Sequence, residues 1–567
     1  MMEIWRIDVA EQKFTREPVP ESWEKLGGRA LSAHILVDEV PPACEPLGPK
    51  NKIIFAPGLL VGHRLSSCDR ISIGGKSPLT GGIKESNAGG RTGYELAHLG
   101  VKALIIEGQL REKGLRLLYL SSDGVRVEDA SEFSGMGVYQ TAECLLERYG
   151  KQVAIALIGP GAEMGLASAG IQNVDKDGVP SRIAARGGLG AVLNSQGIKA
   201  IIFDSTGGKN PDLVDEEAFR AAQQVYNKAL LGHPQTHTYA DYGTAAMTSM
   251  CNAYGALPTR NFSAGQFENA DNLSGEYMRK LLLERGGESK TTHACMSGCV
   301  IRCSNVFGGP DGEAIVSPLE YETIGLMGSN LGIDDLDAVA RLNWEANDLG
   351  LDSIEIGAAL GVAAEAGLME FGDGKRALEL MTEIRKGTPL GKFLGNGADA
   401  VGKEYGITRV PTVKGQAMSA YDPRAIKGTG VTYATSPQGA DHTAGLTIRA
   451  DVDHTDPQGQ AKLSREAQIK MAGYDTLGAC LFSGFGYAVS TSSVQDLLNA
   501  RYGWNIDEEI LLELGRTALK LEREFNKGAG FTAADDRIPQ WMSEEPLSPT
   551  NAVFDVSEED LDSLFDW

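Results

Sequence analysis

From the N-terminus to residue 205, short apolar runs recur: Ile53-Ile54-Phe55, Ala103-Leu104-Ile105-Ile106, Leu117-Leu118-Tyr119-Leu120, Val153-Ala154-Ile155-Ala156-Leu157-Ile158 and Ala200-Ile201-Ile202-Phe203. Glycine-rich turns separate most of them, so each reads as a buried strand and the region as mixed α/β. Asp204-Ser205-Thr206-Gly207-Gly208-Lys209-Asn210-Pro211 reads as a linker. Beyond it the period becomes helical. Pro211-Asp212-Leu213-Val214-Asp215-Glu216-Glu217-Ala218 opens a long amphipathic run. Asp334-Asp335-Leu336-Asp337-Ala338-Val339 opens another, with acids where a helix N-terminus favours them. The pattern divides the chain into segments 1–207, 208–405 and 406–567, the second boundary resting on the weaker change. The tail from Glu544 is acidic and is expected on the surface.

The helical part contains an echo. Asn347-Asp348-Leu349-Gly350-Leu351-Asp352 and Asp475-Thr476-Leu477-Gly478-Ala479-Cys480 share the pattern Asx-x-Leu-Gly-x-(Asp/Cys), each after a helical stretch. Glycine in that place ends a helix as its C′ residue and exposes backbone groups in the next turn.

Composition narrows the function. Seventy glycines in 567 residues exceed the typical ~7% and imply many tight turns or backbone drawn close to a bulky group. The net charge of −23 argues against nucleic acid and against an anionic membrane surface. It also means that an acidic electron carrier would need a local basic patch. No basic leader precedes an apolar run at the N-terminus, and no apolar stretch approaches ~20 residues. A cytoplasmic location is expected, with the eight cysteines as reduced thiols or metal ligands.

Cys295, Cys299 and Cys303 are the sharpest chemical signal. On a regular helix the first and third would lie ~12 Å apart, too far for one compact cluster. To share a cluster the segment must wrap as a loop, which Gly298 would ease. Iron–sulfur clusters commonly take four thiolates. Of Cys44, Cys68, Cys144, Cys251 and Cys480, the last is the best fourth ligand because it alone sits in the echoed turn. Buried structural cysteines, or a zinc site that adds His293, remain open.

Several further pieces stand in an order that resembles the aldehyde:ferredoxin oxidoreductases. They are Lys76-Ser77-Pro78-Leu79-Thr80-Gly81 with Ser86-Asn87-Ala88-Gly89-Gly90, the stretch 182–190, Pro318-Leu319-Glu320-Tyr321-Glu322, the two turns, and Tyr421-Asp422-Pro423-Arg424 with Tyr433-Ala434-Thr435. The resemblance implies an α+β fold. An N-terminal domain of two related β-sheets with helices would form a base for a tungsten or molybdenum bis-pterin, and two mainly α-helical domains would close over it. It implies a [4Fe-4S] cluster beside one pterin. Arg70, Asn87, Gly89, Arg182, Ile183, Ala185 and Arg186 would contact the cofactor from the base, and the carbonyls of Asn87 and Ile183 would bind a Mg2+ bridging the pterin phosphates. Asn347, Leu351, Asp352, Asp475, Ala479 and Leu481 would contact the pterins from the helical domains. Arg182 and Arg186 suit dianionic phosphates shielded from water, and Asx side chains suit a pterin edge.

The implied reaction is oxidation of an aldehyde to a carboxylic acid, with ferredoxin or an iron–sulfur partner subunit taking the electrons. Glu320, Glu322 and His442 are the candidate proton-handling groups. Ser317-Pro318-Leu319-Glu320 reads as a capping box, which gives Glu320 a structural task. Glu322 has no such task and matches the family's glutamate that faces the metal. His442 matches a histidine that donates to the substrate oxygen, and the adjacent Asp441 would bias its protonation. Departures from the family are an extra residue between the first two cysteines, Gln438 and Ala444 in place of basic contacts, and Asn347 for an aspartate. Arg341 replaces a glutamate that helps hold an iron between subunits, so no interface iron is expected and a homodimer is left open. Two other readings stay open: a tungsten-dependent reductase subunit of a larger complex acting on an aromatic thioester, and a non-catalytic iron–sulfur electron-transfer subunit.

Overall fold

The apolar runs of the first 205 residues all become strands. The structure, a computed structural model, describes residues 2–112 and 114–567. The first sheet contains β1 (Glu3–Asp8), β2 (Lys13–Pro18), β3 (Lys52–Pro57), β4 (Ile71–Lys76), β5 (Ile83–Ala88) and β6 (Val101–Glu107), in the order β2-β1-β6-β3-β4-β5. The second contains β7 (Arg116–Ser121), β8 (Gly124–Asp129), β9 (Ala154–Leu157), β10 (Ile171–Val174), β11 (Pro180–Ala184) and β12 (Ile198–Phe203), in the order β8-β7-β12-β9-β10-β11. In the first, β1 and β6 run parallel and all other neighbours antiparallel. In the second, β7 and β12 are the parallel pair. The second sheet therefore repeats the first strand for strand.

The inner strands bury nearly every side chain, which explains their unbroken apolar runs in place of alternation. The helix Gly28–Glu39 packs on β3 and β4 and supplies part of that cover. The edge strands β5 and β11 lie against each other, so the two sheets meet along one line.

The rest of the chain is mainly helical. Asp215 and Asp335 cap the helices Glu216–Gly232 and Leu336–Leu349 by accepting backbone N–H bonds, as their sequence positions predict. A small sheet of Lys290–His293, Ser304–Gly308 and Ala314–Val316 interrupts the helices. Its first two strands are antiparallel, so residues 294–303 form a loop at their end.

One expectation is corrected and another extended. No capping box forms at Ser317–Glu320: the helix begins at Tyr321, Glu320 occupies the N-cap position without a side-chain cap, and its backbone is extended. Asn305 holds the segment open, donating to the Leu319 carbonyl at 2.8 Å and accepting from its amide at 2.9 Å. The acidic tail keeps most of its acids exposed, as expected, but its apolar residues anchor it to the core. Leu547, Phe554, Val556, Leu561, Leu564 and Phe565 are buried, and Arg409 pairs with Glu545 at 2.7 Å.

Candidate active site

The two echoed turns dock on the two sheets in matching fashion. In each, glycine adopts a left-handed conformation, φ 72° at Gly350 and φ 77° at Gly478, which a side chain would strain. Leu351 N–H reaches back to the Ala346 carbonyl at 2.8 Å and Ala479 N–H to the Tyr474 carbonyl at 2.9 Å, the Schellman pattern in both. The Gly478 carbonyl accepts from Arg70 N–H at 3.1 Å, just before β4. The Gly350 carbonyl accepts from Gly170 N–H at 2.9 Å, just before β10.

Between the turns and the edge strands lies a cavity of about 450 Å³. Its lining includes Arg70, Asn87, Gly89, Arg182, Ile183, Ala185 and Arg186 from the base, and Asn347, Asp352, Asp475 and Leu481 from the helical cover. Leu351 and Ala479 are buried in the turns themselves. Asn87 pairs with Ser72 on β4 and Ile183 with Gln172 on β10, so these two occupy matching places in the duplicated sheets.

Charges in this space are buried and paired. Arg186 donates to Asp352 at 3.2 Å and to the Ala440 carbonyl at 2.6 Å. Asp441 lies near Lys84 at 3.4 Å and Arg186 at 4.0 Å. Burial alone would raise the Asp441 pKa, but Lys84 and Arg186 outweigh it and hold the carboxylate well below its ordinary range. Arg29 donates to Glu522 at 2.7 Å and to Asp475 at 3.2 Å. Glu85 is pushed up to about 8 by burial and by Asp475, and its Oε1 has no hydrogen-bond partner.

Thiols also line this cavity: Cys295, beside Gly89 of the base, Cys303 and Cys480. Cys299 approaches it through Ser67, whose Oγ is 3.5 Å from the Cys299 Sγ and whose carbonyl accepts from Cys480 N–H at 2.7 Å. Gly298 has φ 80°, so the triplet is a loop and not a helical stripe. His293 does not join it: Nε2 bonds Asp177 at 2.8 Å and Nδ1 faces the Arg182 guanidinium at 3.4 Å.

Glu322 and His442 meet across the cavity. His442 Nε2 is 3.2 Å from Glu322 Oε1. Glu322 Oε2 accepts from Ala420 N–H at 2.8 Å, and His442 Nδ1 lies 2.8 Å from Ser419 Oγ. Both side chains are thus aimed by the segment 419–420. Asp441 stands 3.8 Å from His442 Nδ1, outside hydrogen-bond range, so Ser419 and not Asp441 orients the ring. Glu320 lies deeper, bonded to Thr244 and 3.4 Å from Ser304 Oγ, and burial raises its pKa.

Sequence reasoning missed Arg29, Lys84, Glu85, Tyr239 and Arg449. Buried charges with distant partners carry no local signal; only the lone Arg29 in an otherwise apolar helix start hinted at a partner.

Known proteins share this architecture. Residues 4–205 match the family description "Aldehyde ferredoxin oxidoreductase, N-terminal domain", and residues 221–566 match "Aldehyde ferredoxin oxidoreductase, domains 2 & 3". The tungsten-containing aldehyde ferredoxin oxidoreductase of Pyrococcus furiosus is 32% identical, across 95% of this chain and 90% of its own length. That of Thermococcus kodakarensis is also 32% identical, across 94% and 89%. The solved active-site complex BamBC of benzoyl coenzyme A reductase has the same fold, with a TM-score of 0.80 over 100% of this chain and 93% of that one at 19% identity. The chain belongs to the aldehyde ferredoxin oxidoreductase family and is an oxidoreductase of that type.

Proposed function

We propose that the chain oxidises an aldehyde to a carboxylic acid at a tungsten or molybdenum bis-pterin, and passes the electrons through a [4Fe-4S] cluster on Cys295, Cys299, Cys303 and Cys480 to ferredoxin or an iron–sulfur partner subunit. The observation that carries this reading is one cavity lined by both the Glu322–His442 pair and the thiols of Cys295, Cys303 and Cys480.

The residues present fit such a guest. Glu85 Oε1 and Arg182 Nε are buried, line the cavity and have no partner in the protein, as expected of groups that meet a polar ligand. Arg70, Arg182 and Arg186 supply cations for phosphate groups. Asn87 and Ile183, in matching register places, would offer their backbone carbonyls to a Mg2+; the Asn87 carbonyl accepts from Arg70 at 3.1 Å. Among the described residues, the group of three or more His, Cys, Asp or Glu ligand atoms within 4.8 Å of one another is Asp175, Asp177 and His293, not the thiols. Zinc, with bonds of ~2.3 Å, needs thiolates about 4 Å apart, so the wider spread of these thiols favours a larger inorganic core.

When bound, the metal and its dithiolenes accept the two electrons. Water supplies the second oxygen of the acid, and two protons leave. In this reading Glu322 Oε1 takes a proton from water as it adds to the aldehyde carbon. His442 Nε2, with Ser419 at the other ring nitrogen, then donates in this reading to the substrate oxygen and exchanges its proton with Glu322, 3.2 Å away.

Anaerobic purification with elemental analysis should find about four irons and one tungsten or molybdenum per chain. Iron without a pterin metal would instead select a non-catalytic electron-transfer subunit. Glu322→Gln should keep both metals and lower turnover by about 10²–10⁴; unchanged turnover removes Glu322 from the mechanism. The likeness in fold to BamBC favours a second reading, a tungsten-dependent reductase subunit of a larger complex. Metal-loaded protein that oxidises no aldehyde but co-purifies with an iron–sulfur partner would select it.

A further inference from the structure

Arg449 stands apart from the other cations that line the cavity. Arg29 faces Glu522 and Asp475, and Arg186 faces Asp352. Arg70 and Arg182 lie inward, among the residues that would meet the cofactor. Arg449 follows His442 on the same segment and opens to solvent at the rim, among Tyr239, Met247, Leu446, Phe482 and Phe485. Its Nη1 donates to Gln235 Oε1 at 2.8 Å, and its Nη2 reaches the Tyr239 hydroxyl and, at 3.3 Å, Met247 Sδ. Among the described residues, no carboxylate pairs with it. Arg70 and Arg182 also lack one, but they lie among the residues that would meet the cofactor. Packing against the aromatic wall partly desolvates its guanidinium and lowers its pKa with no carboxylate to raise it, the opposite balance to Arg29, Arg186 and Arg424.

The wall beside it is aromatic. Tyr239 stacks on Phe482 with ring centroids 4.4 Å apart, and Phe482 lies 5.5 Å from Phe485. The guanidinium carbon sits 5.2 Å from the Tyr239 ring centroid. A cation held over aromatic rings, with donors left over and no anion of its own, is a seat for an incoming anion at the end of an apolar slot.

We propose that the cavity admits an aldehyde whose far end carries a carboxylate. Arg449 pairs that carboxylate, while the carbon skeleton lies on Tyr239, Phe482 and Phe485. This rests on the reading of the Glu322–His442 site as the place of aldehyde oxidation. The competing role is a mechanical tie, in which Arg449 only fastens its loop to the helix Pro234–Tyr242.

The holoenzyme and its Arg449→Met and Arg449→Lys variants would be assayed with 4-carboxybenzaldehyde and with 4-methylbenzaldehyde, which has nearly the same shape and no charge. The wild type should favour the charged aldehyde by about tenfold or more in kcat/KM, a preference that fades with salt. Arg449→Met should raise KM for it by about 10–100-fold, the span of a charge-assisted pair, and leave the neutral aldehyde within about threefold. Arg449→Lys should recover part of the loss. Calorimetric titration with benzene-1,4-dicarboxylate, the expected product, should show Kd weakened by about tenfold or more in Arg449→Met. No preference in the wild type, equal loss for both aldehydes, or unchanged dicarboxylate binding would overturn the proposal. If neither aldehyde is oxidised, the proposed function fails, and the titration still decides the role of Arg449.

Discussion

At the first sheet, the Cys480 amide donates to the Ser67 carbonyl at 2.7 Å; at the second, the Asp352 amide donates to the Ser168 carbonyl at 2.9 Å. The glycine two residues earlier also meets a glycine in each half. A Cβ on Gly58 would fall 2.0 Å from the Gly478 nitrogen, and one on Gly159 would fall 2.7 Å from the Gly350 nitrogen. The two halves thus hold their turns by the same backbone contacts, although the sheets share no evident sequence repeat. They differ in the side chain that ends each turn. Asp352 pairs with Arg186 and caps the next helix through Ile354 N–H at 3.0 Å. Cys480 faces the cysteine loop. A duplicated scaffold suits a guest with two similar halves, while the residue that ends each turn differs: an aspartate held in an ion pair in one half and a thiol in the other.

The strongest way to break this comparison is at its thiol. Cys480→Ala should reduce iron from about four atoms per chain to near background and remove the visible absorption of the cluster. An intact four-iron spectrum would show that the turn at the first sheet has no redox role and that the halves differ only in packing.

At the other turn the expected effect is on folding. Asp352→Asn leaves the Arg186 charge without its nearest carboxylate. Breaking a buried pair costs about 3–5 kcal/mol. Arg186 keeps the Ala440 carbonyl at 2.6 Å and Asp441 at 4.0 Å, so about 2–3 kcal/mol is expected here, read as a lower urea midpoint with iron content unchanged. A midpoint that does not move would mean that Asp352, like Cys480, is kept for a ligand and not for the fold.

Much of this comparison was legible in the sequence. The apolar runs of β3, β6 and β12 were plain because buried inner strands need no polar face. The turns were legible because a C′ glycine after an Asx-x-Leu triplet has a local cause. The two related sheets came from the family resemblance and not from the strand pattern, since strand order is decided by pairings such as β1 with β6, nearly a hundred residues apart. The Ser317–Glu320 box failed for a similar reason: the pattern was locally satisfied, yet Asn305 pairs both backbone groups of Leu319 and holds it extended. The tail's exposed acids were legible, but its anchors were not, because the buried Phe554, Leu561 and Phe565 are widely spaced. Arg29 could not be assigned, because its partner Glu522 lies 493 residues away.

The smallest effect lies in the helix that leaves the turn at the second sheet. Asp352 leads into the helix Ser353–Glu365, and Glu355 in its first turn is fully buried. Glu355 accepts N–H bonds from Ala398 at 3.0 Å and Ala417 at 2.8 Å. Burial, joined by the charge of Asp352, pushes its carboxyl up to about 7 in spite of those donors and of Arg186. In the unfolded chain it titrates near its ordinary value of 4.5. Across that window the folded chain keeps a proton that the unfolded chain releases. This part of the stability is therefore fully present below pH 4.5 and is lost as pH rises through about 7. Glu355→Gln cannot titrate, and its lost acceptor costs the same at every pH. Urea unfolding of both proteins at pH 5 and pH 7.5 should show the wild type losing about 1–3 kcal/mol more than the variant between the two conditions. Equal slopes would mean that Glu355 keeps its charge on folding, and that its two backbone donors and Arg186 outweigh its burial.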